Sequence, residues 1–265
     1  MEKTNLKDLW ESGDPYEYFM GRWSRLAGQS FLDWISAKPE KKWLDVGCGT
    51  GALSEAVLNT QRPSELIAID QSDGFVNSAQ QRLGNSAHCE VGDAMDMSFS
   101  DSSFDQVISG LVLNFIPEPE KALREMKRVA APDGVVAVYI WDYSGKMEFL
   151  KYFWDVVVAL DSNASDLHEG TRFPNTTEDG LKRLFENAGL PNTTVESLEI
   201  ETNFNNFDDY WKPFLGGQGP APTYVLSLSE SDRNRLRDNL HDKLPVQEDG
   251  SIPMIARAWA AKSAL

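Results

Sequence analysis

Short apolar runs alternate with amphipathic segments from residue 41 to the end of the chain, which predicts alternating strands and helices. Seven apolar runs predict strands at 42–46, 65–70, 87–94, 104–110, 135–141, 194–204 and 251–262. Apolar residues at helical spacing predict helices that begin at Ala52 and that cover 72–82, 119–130 and 176–190. This alternation predicts an α/β fold with a doubly wound sheet and helices on both faces.

Turn and capping residues predict where two of these elements begin or end. Thr176 or Thr177 is expected to cap the helix that follows, and Gly189 suits the left-handed residue that ends it. The sequence "APDG" at 131–134 is expected to stop the preceding helix and to turn the chain into the fifth strand.

Three segments do not follow this alternation. Residues 1–40 are predicted to be an N-terminal helical cap, and residues 41–265 the main domain. That domain carries two aromatic-rich insertions, at 142–175 and 203–250. Loops at the carboxyl ends of strands surround the ligand crevice in such folds, so we expect both insertions and the cap to form a lid over it.

Charge and cysteine content exclude several classes of function. The formal net charge of −16 disfavours partners that carry many phosphates, so neither a nucleic acid nor an anionic membrane surface is expected. Cys48 and Cys89 cannot form a disulfide framework and have no histidine at metal-ligand spacing, so no metal is predicted. A chain without a signal-peptide segment or a membrane-length apolar run is expected to be cytoplasmic.

The stretch "KKWLDVGCGTGALSEAV" at 41–57 carries the main chemical signal, a glycine loop between a strand and a helix. Gly47, Gly49 and Gly51 permit a tight turn and a close approach of a ligand to the backbone. The spacing is not the GxGxxG of dinucleotide-binding folds, and no P-loop lysine follows. Asp45 lies directly before the loop, which is unfavourable for a pyrophosphate.

Acidic residues also end later strands, and their positions favour an adenosyl ligand without phosphate. Asp70 ends the second strand, where a carboxylate can accept hydrogen bonds from two ribose hydroxyls, and Asp93 ends the third. S-adenosylmethionine combines a ribose, an adenine, an ammonium and a sulfonium, and it fits these residues.

The chain resembles the class I S-adenosylmethionine-dependent methyltransferases over roughly 40–200 and the final strand. The resemblance lies in "LDVGCGTG", "AIDQS" and "GDAMDMSF", and the segment 104–141 is similar to the ubiquinone/menaquinone-biosynthesis-like branch, methyltransferase type 11. The flanking "YFMGRWS" and "PFLGGQGPAP" are similar to a bacterial subset of that branch. Asn114 stands where the branch often has His. The resemblance implies a Rossmann-like, mostly parallel seven-stranded sheet whose last strand is antiparallel.

The resemblance also implies a set of residues that bind S-adenosylmethionine, and S-adenosylhomocysteine as the product. Asp70 is the expected ribose ligand, Asp93 the ligand of the adenine amine, and Asp45 a residue that orients the loop or acts on the ammonium. Arg22 is a candidate for the methionine carboxylate, and an ordinary ion pair is an equal alternative. The full expected set is Arg22, Asp45, Gly47, Cys48, Gly49, Gly51, Asp70, Gln71, Asp93, Ala94 and Leu111.

The resemblance implies an in-line displacement in which an acceptor atom attacks the sulfonium methyl group. Asp142 and His168 are the candidate bases. Aromatic and polar residues of the cap and insertions are candidate substrate contacts, and packing of the lid is the alternative for each. They are Tyr18, Trp141, Tyr143, Arg172, Trp211 and Gln218. The aromatic residues in and beside the insertions, taken as a set, favour an apolar or aromatic small molecule over a highly charged one as the methyl acceptor.

Two other functions compete with a small-molecule methyltransferase. A protein that binds S-adenosylmethionine or S-adenosylhomocysteine without turnover is compatible with the weak signal for a base. A nicotinamide-dependent oxidoreductase would also use a glycine loop, and cofactor titration separates it. The acceptor and the oligomeric state are left open.

Overall fold

The structure is a computed structural model that describes residues 17–190, 192–216 and 219–265. Its helices are α1 Arg22–Ile35, α2 Ala52–Gln61, α3 Asp73–Leu83, α4 Pro119–Val129, α5 Glu148–Leu160, α6 Glu169–Arg172, α7 Glu178–Asn187, α8 Phe207–Trp211, α9 Pro220–Ser227 and α10 Glu230–Lys243. Its strands are β1 Lys42–Val46, β2 Glu65–Asp70, β3 His88–Val91, β4 Phe104–Gly110, β5 Ala130–Trp141, β6 Thr194–Glu201 and β7 Ile255–Ala264.

The seven strands form one sheet in the order β3-β2-β1-β4-β5-β7-β6. Strands β1 to β5 pair in parallel, and β7 pairs with β5 in the antiparallel direction. This topology confirms the predicted doubly wound α/β fold with an antiparallel last strand. Within the described residues, every helix is too short or too polar to span a membrane.

The predicted end of β3 and the predicted start of β5 are wrong, and pairing with the neighbouring strand explains both. Strand β3 ends at Val91 instead of near Asp93, because its partner β2 ends at Asp70: the Gly92 N–H makes the last bond between the two strands, to the Asp70 carbonyl, and the chain then turns. The segment 131–134 is a bulge inside β5, because Phe104 already pairs with Ala130 before the register shifts. The predicted ends of α7 are confirmed: Thr177 Oγ1 accepts from Gly180 N–H, and Gly189 has a φ of 73°.

The chain divides into two compact units. The sheet unit comprises Ser24–Trp141, Asn175–Leu198 and Ala258–Leu265, and the insertion unit comprises the described residues up to Trp23, Asp142–Pro174 and Glu199–Arg257. Most of α1 therefore belongs to the sheet unit, although residues 1–40 were predicted to form a separate cap. The reason is packing, since Phe31 lies against Tyr139 of β5 with ring centroids 4.5 Å apart.

The core of the sheet unit consists of aliphatic side chains from the central strands and from the helices that cover them. Leu44, Val107 and Val136 are fully buried, as are Leu181 and Phe185 of α7. Strands that are apolar on both faces are typical of a parallel sheet covered on both sides. This burial holds the carboxyl ends of the strands in a fixed relation to one another.

Candidate functional site

The sheet unit contains a topological switch point between β1 and β4. Strand β1 pairs in parallel with β2 on one side and with β4 on the other, so the strand order reverses there. Open α/β sheets bind ligands in the crevice outside the carboxyl ends of the strands at such a point. The glycine loop follows β1, and Leu111 follows β4, so the structure brings both to this edge.

The three glycines of the loop have positive φ angles of 75°, 54° and 82°, which disfavour any side chain. A Cβ on Gly47 would lie 2.5 Å from a methyl group of Val112, and one on Gly51 would lie 3.2 Å from Ala79. A Cβ on Gly49 would have no described atom within 4 Å. Gly47 and Gly51 are therefore needed for packing as well as for the turn, whereas Gly49 leaves its backbone open to a ligand.

Asp70, at the end of β2, ties the loop to the next helix. Its Oδ2 accepts from Gly49 N–H at 3.0 Å, and its Oδ1 accepts from Ser72 N–H at 2.9 Å. Burial raises the pKa of Asp70, although these backbone N–H groups oppose the rise. Each oxygen keeps a further lone pair, so the carboxylate can still accept hydrogen bonds from a ribose.

Asp45 is fully buried directly before the loop. Its Oδ2 accepts from Ser54 Oγ at 2.7 Å, and its Oδ1 has no hydrogen-bond partner among the described residues. Burial, opposed by the Ser54 hydroxyl and reinforced by the charge of Asp70, raises the pKa of Asp45 to about 7. A cation near this carboxylate would favour its ionised form.

The other residues of the predicted cofactor set lie along the same strand edge. Cys48 is buried in the loop, where burial raises the pKa of its thiol, and its N–H donates to the Ile69 carbonyl at 2.9 Å. Gln71 and Asp93 are exposed after β2 and β3, and Ala94 is half-buried. Leu111 has a φ of 62°, a strained value for a non-glycine residue and one that often marks functional sites.

The sequence interpretation missed two polar side chains that contact the loop or its neighbours. Ser54 lies one helical turn after the glycines, on the same face as buried Val57. A serine on an otherwise apolar helix face is the signal that could have identified it. Arg82 of α3 lies 3.5 Å from Thr50 Oγ1 of the loop, so a cation does reach a segment that has no nearby Lys or Arg in the sequence.

Arg22 belongs to the insertion unit and has partners there. Its Nη1 lies 3.0 Å from Asp209 Oδ1, and its guanidinium stacks 4.2 Å from the Trp23 ring and 4.7 Å from the Phe204 ring. Arg22 and Asp209 line a cavity of about 830 Å³ together with Arg237. The ion pair is the arrangement expected if Arg22 stabilises its own unit.

Asp142, a predicted base, is buried in the insertion unit with four donors around its carboxylate. Oδ1 accepts from Gly145 N–H at 3.0 Å, and Oδ2 accepts from Lys146 N–H at 3.2 Å and from Arg257 Nε at 2.7 Å. Arg257 Nη2 lies 2.5 Å from the same Oδ2. A carboxylate held in this way organises a turn, and its oxygens already accept hydrogen bonds from these donors.

His168, the other predicted base, caps α6 in the insertion unit. Its Nδ1 accepts from Gly170 N–H at 3.0 Å, so the neutral ring carries its proton on Nε2. Burial lowers the pKa of His168 and keeps the ring neutral. In this tautomer the remaining nitrogen is a donor, and a donor does not take a proton from an acceptor molecule.

The predicted substrate contacts divide between the two units. Trp141 belongs to the sheet unit and is 2% exposed, whereas Tyr143 and Trp211 are buried in the insertion unit. The Arg172 guanidinium lies 4.9 Å from the Phe173 ring. The side chain of Tyr18 and the whole of Gln218 lie outside the described residues.

Aromatic rings in the insertion unit pack mainly on one another. Phe153 and Phe214 are stacked with centroids 4.6 Å apart, and Phe19 meets Phe214 edge-on at 5.4 Å. Tyr210 is fully buried and donates its hydroxyl to the Phe149 carbonyl at 2.8 Å. Much of the aromatic signal in the sequence therefore reflects the core of this unit.

The residues at the switch point fit S-adenosylmethionine. Gly49 is open to the close approach of a ligand, and the two nearby carboxylates of Asp45 and Asp70 suit cationic and hydroxyl groups. Within the described ranges, no group of three or more His, Cys, Asp or Glu side chains is arranged to hold a metal ion.

Comparisons with known proteins agree with this site. Residues 44–138 match the family model described as "Methyltransferase domain". The chain is 32% identical over 173 residues to a demethylmenaquinone methyltransferase of Staphylococcus aureus, covering 59% of this chain and 70% of that protein. Its curated relatives thus include enzymes whose name specifies methyl transfer.

Solved structures show the same fold at low sequence identity. The YcgJ protein of Bacillus subtilis has a TM-score of 0.58 and 17% identity, covering 90% of this chain and 97% of that one. Phosphoethanolamine N-methyltransferase 2 of Haemonchus contortus, in complex with S-adenosyl-L-methionine, has a TM-score of 0.56 and 16% identity, covering 94% of this chain and 56% of that one.

The switch-point site, the family match and the curated relatives point to one enzyme class that uses S-adenosylmethionine as its cofactor. The chain belongs to the class I S-adenosylmethionine-dependent methyltransferases, in the menaquinone-biosynthesis-like branch.

Proposed function

We propose that this enzyme transfers a methyl group from S-adenosylmethionine to an apolar or aromatic small molecule by in-line displacement. The observation that carries the proposal is the switch-point crevice, where an uncharged glycine turn lies beside two buried carboxylates, Asp45 and Asp70. When bound, the sulfonium supplies an electrophilic methyl group with a good leaving group. The work of the protein is then to bind, to orient and to exclude water.

In this proposal, residues of the sheet unit hold the cofactor. Asp70 accepts from the ribose hydroxyls through lone pairs that its two backbone donors leave free. Asp93 accepts from the adenine amine, and Gly49 allows the ligand to approach the backbone. The strained backbone of Leu111 directly follows β4, the strand next to β1 in the sheet.

The acceptor class rests on two supports. The name of the Staphylococcus relative specifies a demethylmenaquinone as the molecule it methylates, and a menaquinone is an apolar aromatic compound. The second support is the aromatic-rich sequence of the two insertions, at 142–175 and 203–250. The hydrogen bonds of Asp142 and His168 oppose a role as base, so we propose an acceptor that loses its proton readily.

A labelled-methyl assay tests the proposal directly. Purified enzyme is incubated with methyl-labelled S-adenosylmethionine and two matched acceptor panels, one of lipophilic quinols and phenols and one of small polar amines and acids. Extraction into organic solvent separates labelled apolar products from the cofactor, and chromatography of the aqueous phase separates labelled polar products from it. The Asp70→Asn variant serves as a control with weakened cofactor binding, and it should form less labelled product at a limiting cofactor concentration.

Labelled product from the lipophilic panel alone supports both parts of the proposal. Product from the polar panel alone overturns the acceptor class and leaves methyl transfer in place. Tight binding of S-adenosylhomocysteine together with no product from either panel would favour the non-catalytic binding protein instead.

A further inference from the structure

Ser54 occupies an uncommon place for a serine. It lies in the first turn of α2, is fully buried, and donates through Oγ to Asp45 Oδ2 at 2.7 Å. Serines inside helices usually donate to the carbonyl four residues earlier. The Ser54 hydroxyl instead crosses from the helix to the end of β1 and bonds the one carboxylate that precedes the glycine loop.

The pair leaves one carboxylate oxygen without a partner. Asp45 Oδ1 is buried and has no hydrogen bond from any described residue, so the second half of this carboxylate is uncompensated. An uncompensated carboxylate oxygen in a buried site is costly. The negative charge lies beside the loop where the cofactor brings an ammonium and a sulfonium, and a nearby cation would offset the cost.

We propose that Ser54 is a positioning residue for the cofactor, which keeps the Asp45 carboxylate charged and oriented so that it attracts the cationic amino-acid end of S-adenosylmethionine. Ser54 itself does not contact the ligand. The inference rests on the proposed function, because it requires the cofactor to bind at the glycine loop.

The electrostatics around Asp45 support this role. Burial and the charge of Asp70 both raise the pKa of Asp45, whereas the Ser54 hydroxyl and the Ser54 backbone N–H lower it. Burial first, and the charge of Asp45 second, raise the pKa of the Cys48 and Cys89 thiols, so both are neutral near pH 7. The hydroxyl of Ser54 is therefore the side-chain donor that favours the charged carboxylate near neutral pH.

The test compares two ligands on the full chain. S-adenosylhomocysteine carries the ammonium, and methylthioadenosine keeps the adenosine but lacks the amino-acid end. Dissociation constants for both are measured by calorimetry at pH 7 for the natural protein and for Ser54→Ala. Ser109→Ala is the matched control, because Ser109 is equally buried and donates at 2.7 Å to the Val46 carbonyl, next to Asp45 but not to its carboxylate.

We expect Ser54→Ala to bind S-adenosylhomocysteine about tenfold more weakly and to bind methylthioadenosine within about twofold of the natural protein. Ser109→Ala should change the two affinities by the same factor. If Ser54→Ala fails to fold, Ser54→Cys keeps the size with a weak S–H donor and should show the same ligand selectivity to a smaller degree.

A pH series adds a readout that a merely structural serine would not move. Between pH 5.5 and 7.5, binding of S-adenosylhomocysteine should strengthen as Asp45 ionises, and Ser54→Ala should shift this midpoint to higher pH. Equal losses for both ligands, or an unmoved midpoint, would overturn the role of Ser54. Failure of the natural protein to bind either ligand would instead overturn the proposed function.

Discussion

Asp70→Asn removes one negative charge from the site and preserves the size and shape of the side chain. In the structure the carboxylate accepts from Gly49 N–H at 3.0 Å and from Ser72 N–H at 2.9 Å. A carboxamide has one oxygen and one NH₂ group, so only one of these N–H groups keeps an acceptor. The other backbone N–H group would face the NH₂ group, which is also a donor. Either Gly49 in the loop or Ser72 before α3 therefore loses its hydrogen bond.

The size of the effect follows from these bonds. A hydrogen bond to a charged group contributes about 1.5–3 kcal/mol, so one lost backbone bond should lower the free energy of unfolding by about that amount. The ribose loses a charged acceptor in the same exchange. We therefore expect a loss of about 1.5–3 kcal/mol in cofactor binding, which corresponds to a roughly 10- to 100-fold larger dissociation constant.

Calorimetric titration with S-adenosylhomocysteine measures the binding change, and urea unfolding followed by circular dichroism measures stability separately. Asp73→Asn is the control, because Asp73 is exposed in the first turn of α3 and loses the same charge three residues away. Its effect should stay below about 1 kcal/mol, the scale of a carboxylate at a helix N-terminus.

The result that refutes the reasoning is specific. If Asp70→Asn is destabilised but binds S-adenosylhomocysteine as tightly as the natural protein, Asp70 only anchors the loop and does not bind the ribose. If both properties are unchanged, the two backbone hydrogen bonds do not contribute as described.

Three further predictions test the loop, the buried acid and the second unit. Gly47→Ala should lower the free energy of unfolding by about 2–4 kcal/mol, because backbone strain at φ 75° adds to a clash of the new Cβ at 2.5 Å. Gly49→Ala has only the backbone strain and should lower it by about 1 kcal/mol. Equal denaturant midpoints for the two variants would contradict this prediction. Because folding raises the pKa of Asp45 to about 7, the natural protein should lose roughly 4 kcal/mol of stability from this group as pH rises from 4 to 7, and Asp45→Asn should remove that slope in urea titrations. Asp142→Asn should cost on the order of 2–3 kcal/mol in stability by breaking a buried ion pair, with the pH profile of kcat unmoved. Loss of the low-pH limb of that profile, where activity rises as a base ionises, would restore Asp142 as a base.

Local pattern was sufficient for the strands and helices of the sheet unit. Apolar runs and helical stripes are short-range signals, and they predicted every strand of the sheet and the caps of α7. The wrong boundaries at β3 and β5 lie where hydrogen bonds to distant backbone groups decide the end of a strand. The division at Trp23 likewise depends on α1 packing against β5, which no local pattern reports.

The sequence by itself determined the α/β class, the glycine turn and the acids that end the strands, because backbone freedom and strand-end position are local properties. Only the tertiary structure decided which groups compensate those acids. Ser54 reaches Asp45, Arg82 reaches Thr50 across 32 positions, and Asp142 meets Arg257 across 115. Such pairs depend on how distant segments pack, and packing sets the electrostatic environment of each acid. The sequence therefore shows where a titratable residue lies, but its charge state and its role follow only from the tertiary structure.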